Sequence, residues 1–389
     1  MATSRSSSSL LAGTKYEARP PARFSFATLE PMPWPSAPAL LAPLAPWFDA
    51  NRREMPWRAR DLDAPHPDPY AVMVSEFMLQ QTQVATVIPY FERWMRRFPD
   101  AETLAGADED TLHKAWEGLG YYRRARLLHG AARSLAAEGW PADLPGLLAL
   151  PGLGPYTAAA VGAIAFQWPT PALDGNAFRV LARLLILEGD PKVQAGPLRE
   201  WLAPALAALG PSRLTQALME LGATVCVPQP RCGACPLAKG CGAHQAGRQT
   251  EIPPAAKRTP PRESDLWLLA IAHGGAYLLH PPAEKGLLAG LWRWPVRSVV
   301  EAGPEGPLAE GLEARAFPGW TQVYTHRRER VRPLLLQPQI RPAAAADQVW
   351  VEAARLPELP MGKRDARLRD LLEASGDRPL TLPAGLLGL

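Results

Sequence analysis

Two carboxylic acids stand in stretches that could give them different protonation states. Glu76 interrupts the apolar run Val74-Ser75-Glu76-Phe77-Met78-Leu79, which leads into Gln80, Gln81, Thr82 and Gln83. A carboxyl kept from water is disfavoured as the anion, so its pKa rises and it can donate a proton near neutral pH. The plainer alternative is a half-solvated glutamate at the rim of its helix. Asp174 lies in Leu173-Asp174-Gly175-Asn176. It either caps the helix that follows or faces the same cavity as Glu76. Two acids in unlike environments suit cleavage of a glycosidic bond, one protonating the leaving group and the other stabilising the sugar cation.

Three further constellations carry chemistry. Cys226, Cys232, Cys235 and Cys241 are the four cysteines of the chain, separated by five, two and five residues. Such clustering favours a metal centre over a disulfide framework and points to a reducing compartment. Four thiolates can ligate an iron–sulfur centre. Zinc stays open, although structural zinc sites usually carry two short Cys-x-x-Cys pairs and one is present here. Leu150-Pro151-Gly152-Leu153-Gly154-Pro155-Tyr156-Thr157-Ala158 reads as a glycine turn opening a small-residue helix. Gly152 and Gly154 permit positive φ, Pro155 suits the first helical position, and the free amides form an anion site. That is the pattern of a helix-hairpin-helix turn gripping a phosphate, or else an ordinary Gly-Pro turn before a helix. In Gly118-Leu119-Gly120-Tyr121-Tyr122-Arg123-Arg124-Ala125-Arg126, aromatics beside three arginines suit a wedge into a bent duplex with cations on its phosphates. A core tyrosine pair beside a solvated helix start is equally open.

The elements that must position these residues are helical through the first two thirds of the chain. Apolar residues recur at helical spacing over residues 39–51, 70–80, 82–98, 108–119, 123–138, 157–166, 176–187, 197–209 and 212–222. Residues 246–264 are polar, hold four prolines and read as a linker. After them the pattern switches to apolar runs, 266–273 and 276–280, joined by the hairpin signal Gly274-Gly275. Further strands are expected at 331–340 and 348–352, and a closing helix at 363–374.

The 389-residue length predicts more than one domain, and 47% hydrophobic content supplies real cores. The net charge of +4 is compatible with a nucleic-acid partner. Forty-four prolines predict stiff loops. No apolar run approaches a membrane span, so no membrane partner is expected. The expected division is a disordered tail over 1–38, an all-α domain over 39–223, a cysteine loop over 224–245, the linker over 246–264, an α+β domain over 265–376 and a C-terminal tail over 377–389.

Over residues 40–243 the ordered set of motifs resembles the adenine DNA glycosylase (MutY) family of the endonuclease III, helix-hairpin-helix superfamily. The set comprises Pro56-Trp57-Arg58, the Glu76 stretch, Gly118 to Arg126, the hairpin, Leu173 to Asn176 and the cysteines. The resemblance implies excision of adenine mispaired with 8-oxoguanine or guanine in duplex DNA. Glu76 would protonate adenine at N7, and Asp174 would stabilise the oxocarbenium-like sugar. Tyr156 and Asn176 would assist around the flipped nucleotide. Trp57, Arg58, Gln80, Gln81, Tyr121, Gly152 and Gly154 would contact DNA. The four cysteines would hold a [4Fe–4S] cluster, although the first gap is one residue shorter than the family's common pattern. Tyr156 stands where lyases of the superfamily carry a Schiff-base lysine, implying a monofunctional glycosylase. A pyrimidine glycosylase/lyase of the endonuclease III type and a catalytically silent damage-binding protein are the rival readings. The C-terminal part resembles the family's Nudix-like domain. Gly286 to Trp292 matches an early loop, and Thr325 and His326 fall on a loop that reads 8-oxoguanine. The acids that would hold Mg²⁺ after Trp294 are missing, which implies recognition rather than hydrolysis. A monomer is expected, acting in the bacterial cytoplasm or, in a eukaryote, in an organelle or nucleus.

Overall fold

The computed structural model describes residues 34–255, 260–286, 288–302 and 313–375. The expected tails therefore lie largely outside the described residues, as does Leu287 of the early loop. The helical part runs α1 (Ala37–Leu41), α2 (Leu44–Asn51), α3 (Pro69–Leu79), α4 (Val84–Arg97), α5 (Ala101–Ala105), α6 (Glu109–Trp116) and α7 (Arg123–Glu138). It continues through α8 (Leu144–Ala149), α9 (Pro155–Phe166), α10 (Gly175–Leu184), α11 (Ala195–Leu209), α12 (Pro211–Thr224) and α13 (Gly242–Gln245).

Several boundaries differ from the sequence reading for local reasons. The single helix expected over 39–51 is two helices, because Pro43 has no amide to continue α1. The tail read as far as residue 38 ends earlier. Trp34 packs edge-on against Trp201, whose indole N–H donates to the Pro35 carbonyl at 2.7 Å, and α1 starts at Ala37. Two short helices, α5 and α8, went unpredicted although each has an aspartate cap. Asp100 accepts from Thr103 N–H and Asp143 from Gly146 N–H.

These helices build two cores. One gathers α3, α4, α6, α7 and α9 around Phe77, Trp94, Trp116 and Leu128. The other gathers α1, α2, α10, α11 and α12 around Phe48, Leu181, Leu202 and Leu218. Between α8 and α9 the glycine turn brings α9 against α3 and α12. Gly152 has φ 78°, and a Cβ there would sit 2.6 Å from Leu127 Cβ and 2.9 Å from Phe77 Cε1. Gly154 does not need positive φ as expected. It is extended at φ −71° and precedes α9 as its cap, with open space where a side chain would be.

Among the described residues the second part is a seven-stranded sheet with α15 (Lys363–Ser375) on one face. Its strands are β1 (Arg262–His273), β2 (Ala276–Leu279), β3 (Val296–Ser298), β4 (Glu313–Ala316), β5 (Trp320–Val323), β6 (Arg327–Gln337) and β7 (Val349–Glu352), with α14 (Val299–Ala302) after β3. The order is β4-β6-β1-β2-β7, with β3 on β1 and β5 on β6. β1 and β6 are parallel, Leu266 opposite Val331. Gly274 and Gly275 both have positive φ, as the turn joining β1 to antiparallel β2 requires. β1 starts at Arg262, inside the expected linker, because its first residues pair with β6 from Arg327 onward. The short strands β3, β4 and β5 went unpredicted, since three or four residues give too little alternation to read.

The two parts touch through the loop after α6. Leu291, from the early loop of the sheet domain, is buried in the first helical core. Tyr122 Oη donates to the Met361 carbonyl at 2.9 Å, and Met361 N–H donates to Glu117.

Candidate active site

The seam between the two helical cores opens as a cleft of about 930 Å³, within the size range of ligand sites. The first core contributes Glu76 from α3 and Tyr156 from the first turn of α9. The second contributes Asp174 and Asn176 at the start of α10, with Gln216 and Glu220 from α12. Glu76 is buried, as the apolar run around it predicts, and not a rim residue. Burial pushes its carboxyl up to about 7, the Tyr156 hydroxyl hydrogen-bonded to it pulls the other way, and the Asp174 charge raises it further. Burial and the charge of Glu76 hold the Tyr156 phenol well above its ordinary value.

Asp174 does both things the sequence left open. Its Oδ1 caps α10 by accepting from Ala177 N–H at 2.6 Å, while the residue lines the cleft. Its Oδ2 accepts from Asn176 Nδ2 at 3.1 Å. Burial raises the Asp174 pKa, and the donors from Ala177 and Asn176 oppose that rise. The positive end of α10 also favours the carboxylate. Asn176 is itself held by Arg179, whose guanidinium donates to Asn176 Oδ1, Gly222 O and Cys226 O, each at 2.7 Å.

Of the other residues picked from sequence, Trp57, Arg58, Gln80 and Gln81 line the cleft. Arg58 is not a free cation. Its Nε donates to Gln216 at 2.8 Å, its Nη1 to the Arg53 carbonyl and its Nη2 to Glu220 at 3.2 Å. Gln80 Nε2 donates to Thr157 Oγ1 at 3.3 Å, tying α3 to α9. Tyr121 is 46% exposed, but its neighbour Tyr122 is in the core. Arg124, read as one of three cations for phosphates, is buried too, so only part of that basic cluster faces solvent. Thr325 and His326 are exposed on the tight β5–β6 turn, where Tyr324 N–H donates to Arg327 O at 2.8 Å. The Thr325 hydroxyl hydrogen-bonds the Tyr121 hydroxyl across the domain boundary.

Glu220, Gln216 and Arg53 escaped the sequence reading. Glu220 is 2% exposed and paired with Arg53 and Arg58. It sits in Leu218-Met219-Glu220-Leu221, an acid in an apolar helix, the same signal that singled out Glu76.

Cys226, Cys232, Cys235 and Cys241 are unpaired and line one narrow cavity of about 20 Å³ together with Arg183. Arg183 Nη1 donates to Cys226 Sγ at 3.4 Å, and the Cys241 thiol donates to the Arg183 carbonyl. Among the described residues no group of three or more His, Cys, Asp or Glu side chains is arranged to hold a single metal ion. Four unpaired thiols lining one cavity are a donor set of the kind an iron–sulfur cluster takes. The shorter first gap still leaves Cys226 on the cavity wall with the other three.

Residues 74–204 match the model of the HhH-GPD superfamily base excision DNA repair protein. The adenine DNA glycosylase of Mycobacterium tuberculosis is 39% identical over 233 residues, covering 58% of this chain and 72% of that protein. The chain belongs to the adenine DNA glycosylase family. The family's Arabidopsis thaliana member is 36% identical, covering 65% of this chain and 46% of its own length. The chain thus spans about half to three fifths of the plant and mammalian relatives it matches. A solved structure of a thermostable thymine-DNA glycosylase aligns with a TM-score of 0.47 at 26% identity, covering 54% of this chain and 96% of its own. In this adenine DNA glycosylase family member no helix among the described residues is long and apolar enough to cross a membrane.

Proposed function

We propose that the protein is a monofunctional adenine DNA glycosylase that excises adenine opposite 8-oxoguanine or guanine in duplex DNA. The observation that carries this reading is the shared cleft. A buried carboxyl with a pKa of about 7 and a helix-capping carboxylate line one hollow large enough for an everted nucleoside. The base must leave the stack before its glycosidic bond can be reached, and unstacking costs least at a mispair.

In this reading Glu76 keeps its proton in about half of the molecules near pH 7 and gives it to adenine N7, which drains electrons from the C1′–N9 bond. The bond breaks with its electron pair leaving on the base. Asp174 stabilises the sugar cation until water adds at C1′, the water's proton passing to the Glu76 carboxylate and restoring the acid, and Asn176 fixes the orientation of Asp174 through Oδ2. Tyr156 holds Glu76 toward the base. It offers no amine, so no Schiff base forms with the sugar. The glycine turn and the first amides of α9 would take a phosphate, supported by the open space beside Gly154. Gln81 and Tyr121 would enter the duplex. Thr325 and His326 would face the oxidised base, a role supported by the contact of Thr325 with Tyr121. Cys226, Cys232, Cys235 and Cys241 would hold a [4Fe–4S] cluster, which supplies a stiff, redox-capable centre beneath a DNA-contacting loop. With the bounds the fold gives, the same reading divides the chain into a glycosylase domain from α1 to α12, a cluster loop over 224–245 and a recognition domain from β1 to α15.

The test is excision from duplexes pairing adenine with 8-oxoguanine, guanine or thymine, with Glu76→Gln as control. Excision in the first two and none by Glu76→Gln is expected. Efficient borohydride trapping of a covalent adduct would overturn the monofunctional assignment.

A further inference from the structure

Gln81 and Tyr121 lie forty residues apart in sequence, yet they share an unusual backbone. Both are non-glycine residues in the left-handed region, with φ of 57° and 51°. Such conformations cost free energy and persist where the surroundings over-determine them. Here one side chain over-determines both. Arg124 at the start of α7 is 6% exposed. Its Nη1 donates to the carbonyls of Phe77, Met78 and Gln80 at 2.8, 2.9 and 2.6 Å. Its Nη2 donates to Thr82 Oγ1 at 3.3 Å and to the carbonyls of Leu119 and Gly120 at 3.3 and 3.1 Å. These acceptors bracket Gln81 on one side and precede Tyr121 on the other. The guanidinium also lies 5.4 Å from the Tyr121 ring centroid and 5.3 Å from that of Trp116.

Among the described residues no carboxylate pairs with Arg124. A buried cation without a counter-ion is expensive, and a helix start at the surface does not require one. What this arrangement obtains is rigidity between two loops. A planar fork can span two sets of carbonyls at fixed angles, which an ammonium on a flexible stem cannot.

We propose that Arg124 is a positioning residue that locks Gln81 and Tyr121 into one wedge for opening the duplex. The proposal rests on the adenine glycosylase reading, in which those two side chains enter the helix. Arg124 is buried and is not among the residues that line the cleft. It acts by holding the two wedge residues at a fixed separation and in a backbone geometry they would otherwise leave.

The experiment compares single-turnover excision from two duplexes. In one, adenine is stacked opposite 8-oxoguanine. In the other, adenine faces a one-nucleotide gap and is already loosely stacked. Arg124→Met is expected to slow excision from the stacked duplex roughly 10²-fold, as misplacement by about an ångström does, while the gapped duplex is cut at close to the wild-type rate. Arg124→Lys keeps the charge and is expected to show the same selective loss, less fully. Equal slowing on both duplexes means a merely structural role and overturns the proposal, as does no slowing on either. Should the Arg124 variants fail to fold, the double variant Gln81→Ala/Tyr121→Ala supplies the same ratio. If it cuts stacked and gapped duplexes in the wild-type proportion, there is no wedge for Arg124 to hold, and the proposal falls. Wild-type protein that cuts neither duplex overturns the glycosylase reading itself. Wild-type cleavage with an unchanged ratio in the variants overturns only the role of Arg124.

Discussion

Glu117, on the loop after α6, and Arg369, on α15 of the sheet domain, form an ion pair at 3.0 Å with both side chains largely buried. Glu117 also accepts from Met361 N–H at 3.0 Å and from Lys114 Nζ at 2.8 Å. The pair lies four residues before Tyr121, so the sheet domain grips the loop that Thr325 also reaches. Removing Arg369 leaves Glu117 its bonds from Lys114 and Met361 N–H, so the cost is that of the lost charge-assisted hydrogen bonds, about 1.5–3 kcal/mol. Arg369→Ala is therefore expected to lower the melting temperature. It is also expected to blur discrimination of 8-oxoguanine from guanine, because Thr325 loses its fixed seat against Tyr121. Replacing Glu117 with Gln keeps acceptors for Met361 and is expected to do less. Thermal melts together with excision rates on the two mispairs check both statements.

Glu76 makes stability and activity depend on pH in the same direction. Below about pH 4.5 it is protonated in folded and unfolded chains alike. Between there and about 7 the unfolded chain ionises while the buried carboxyl does not, so stability falls as pH rises. Above that range the loss is complete, about 3 kcal/mol at most. Glu76→Gln is expected to be stabilising at pH 8 and nearly neutral at pH 4, read from denaturant midpoints at the two values. The wild-type excision rate should decline roughly tenfold per pH unit above the Glu76 pKa, because the proton donor is lost.

His326 is exposed on a two-residue-wide turn and makes its contribution, in the proposed reading, only through DNA. His326→Ala is thus expected to leave folding unchanged and to reduce the preference for 8-oxoguanine over guanine. An unaltered preference, measured by single-turnover excision on the two duplexes, would remove the residue from the recognition loop.

How legible all this was follows from the kind of signal each residue sends. Glu76 stood out because a charge in an apolar helix breaks a pattern, and Gly274-Gly275 because a two-residue turn with positive φ admits few residue types. Gly152 was legible for the same reason, whereas Gly154 looked alike and needs no such backbone. Arg124 was misread. A run of arginines at a helix start says cation, and nothing local reveals that one of them turns inward to carbonyls on another helix. Arg179 and Glu220 were missed because Cys226 and Arg58, which they bind, lie far from them in sequence, although the Arg179–Asn176 bond is local to α10. Edge strands β3, β4 and β5 depend on β1 and β6 for their existence. Contacts made across long sequence separations leave no period to read.

The glycine turn offers a last prediction, in which stability and DNA binding separate. At Gly152 a methyl group would press on Leu127 and Phe77, and the residue would keep a left-handed φ. Overpacking of this kind costs about 1–3 kcal/mol, with roughly 1 kcal/mol more for the backbone. Gly152→Ala is therefore expected to lower stability by a few kcal/mol and to displace the start of α9, taking Tyr156 and its hydrogen bond to Glu76 with it. Gly154→Ala meets nothing within 4 Å and keeps an ordinary φ. Its stability should fall by less than about 1 kcal/mol, the loss of a glycine cap, while a phosphate approaching the amides of α9 would meet the new methyl group. Denaturant melts paired with affinity for a mispaired duplex distinguish the two. The first substitution should move the melt strongly, and the second should weaken binding with little change in the melt. If Gly154→Ala binds DNA as well as wild type, the turn is a packing device for α9 and the phosphate lies elsewhere.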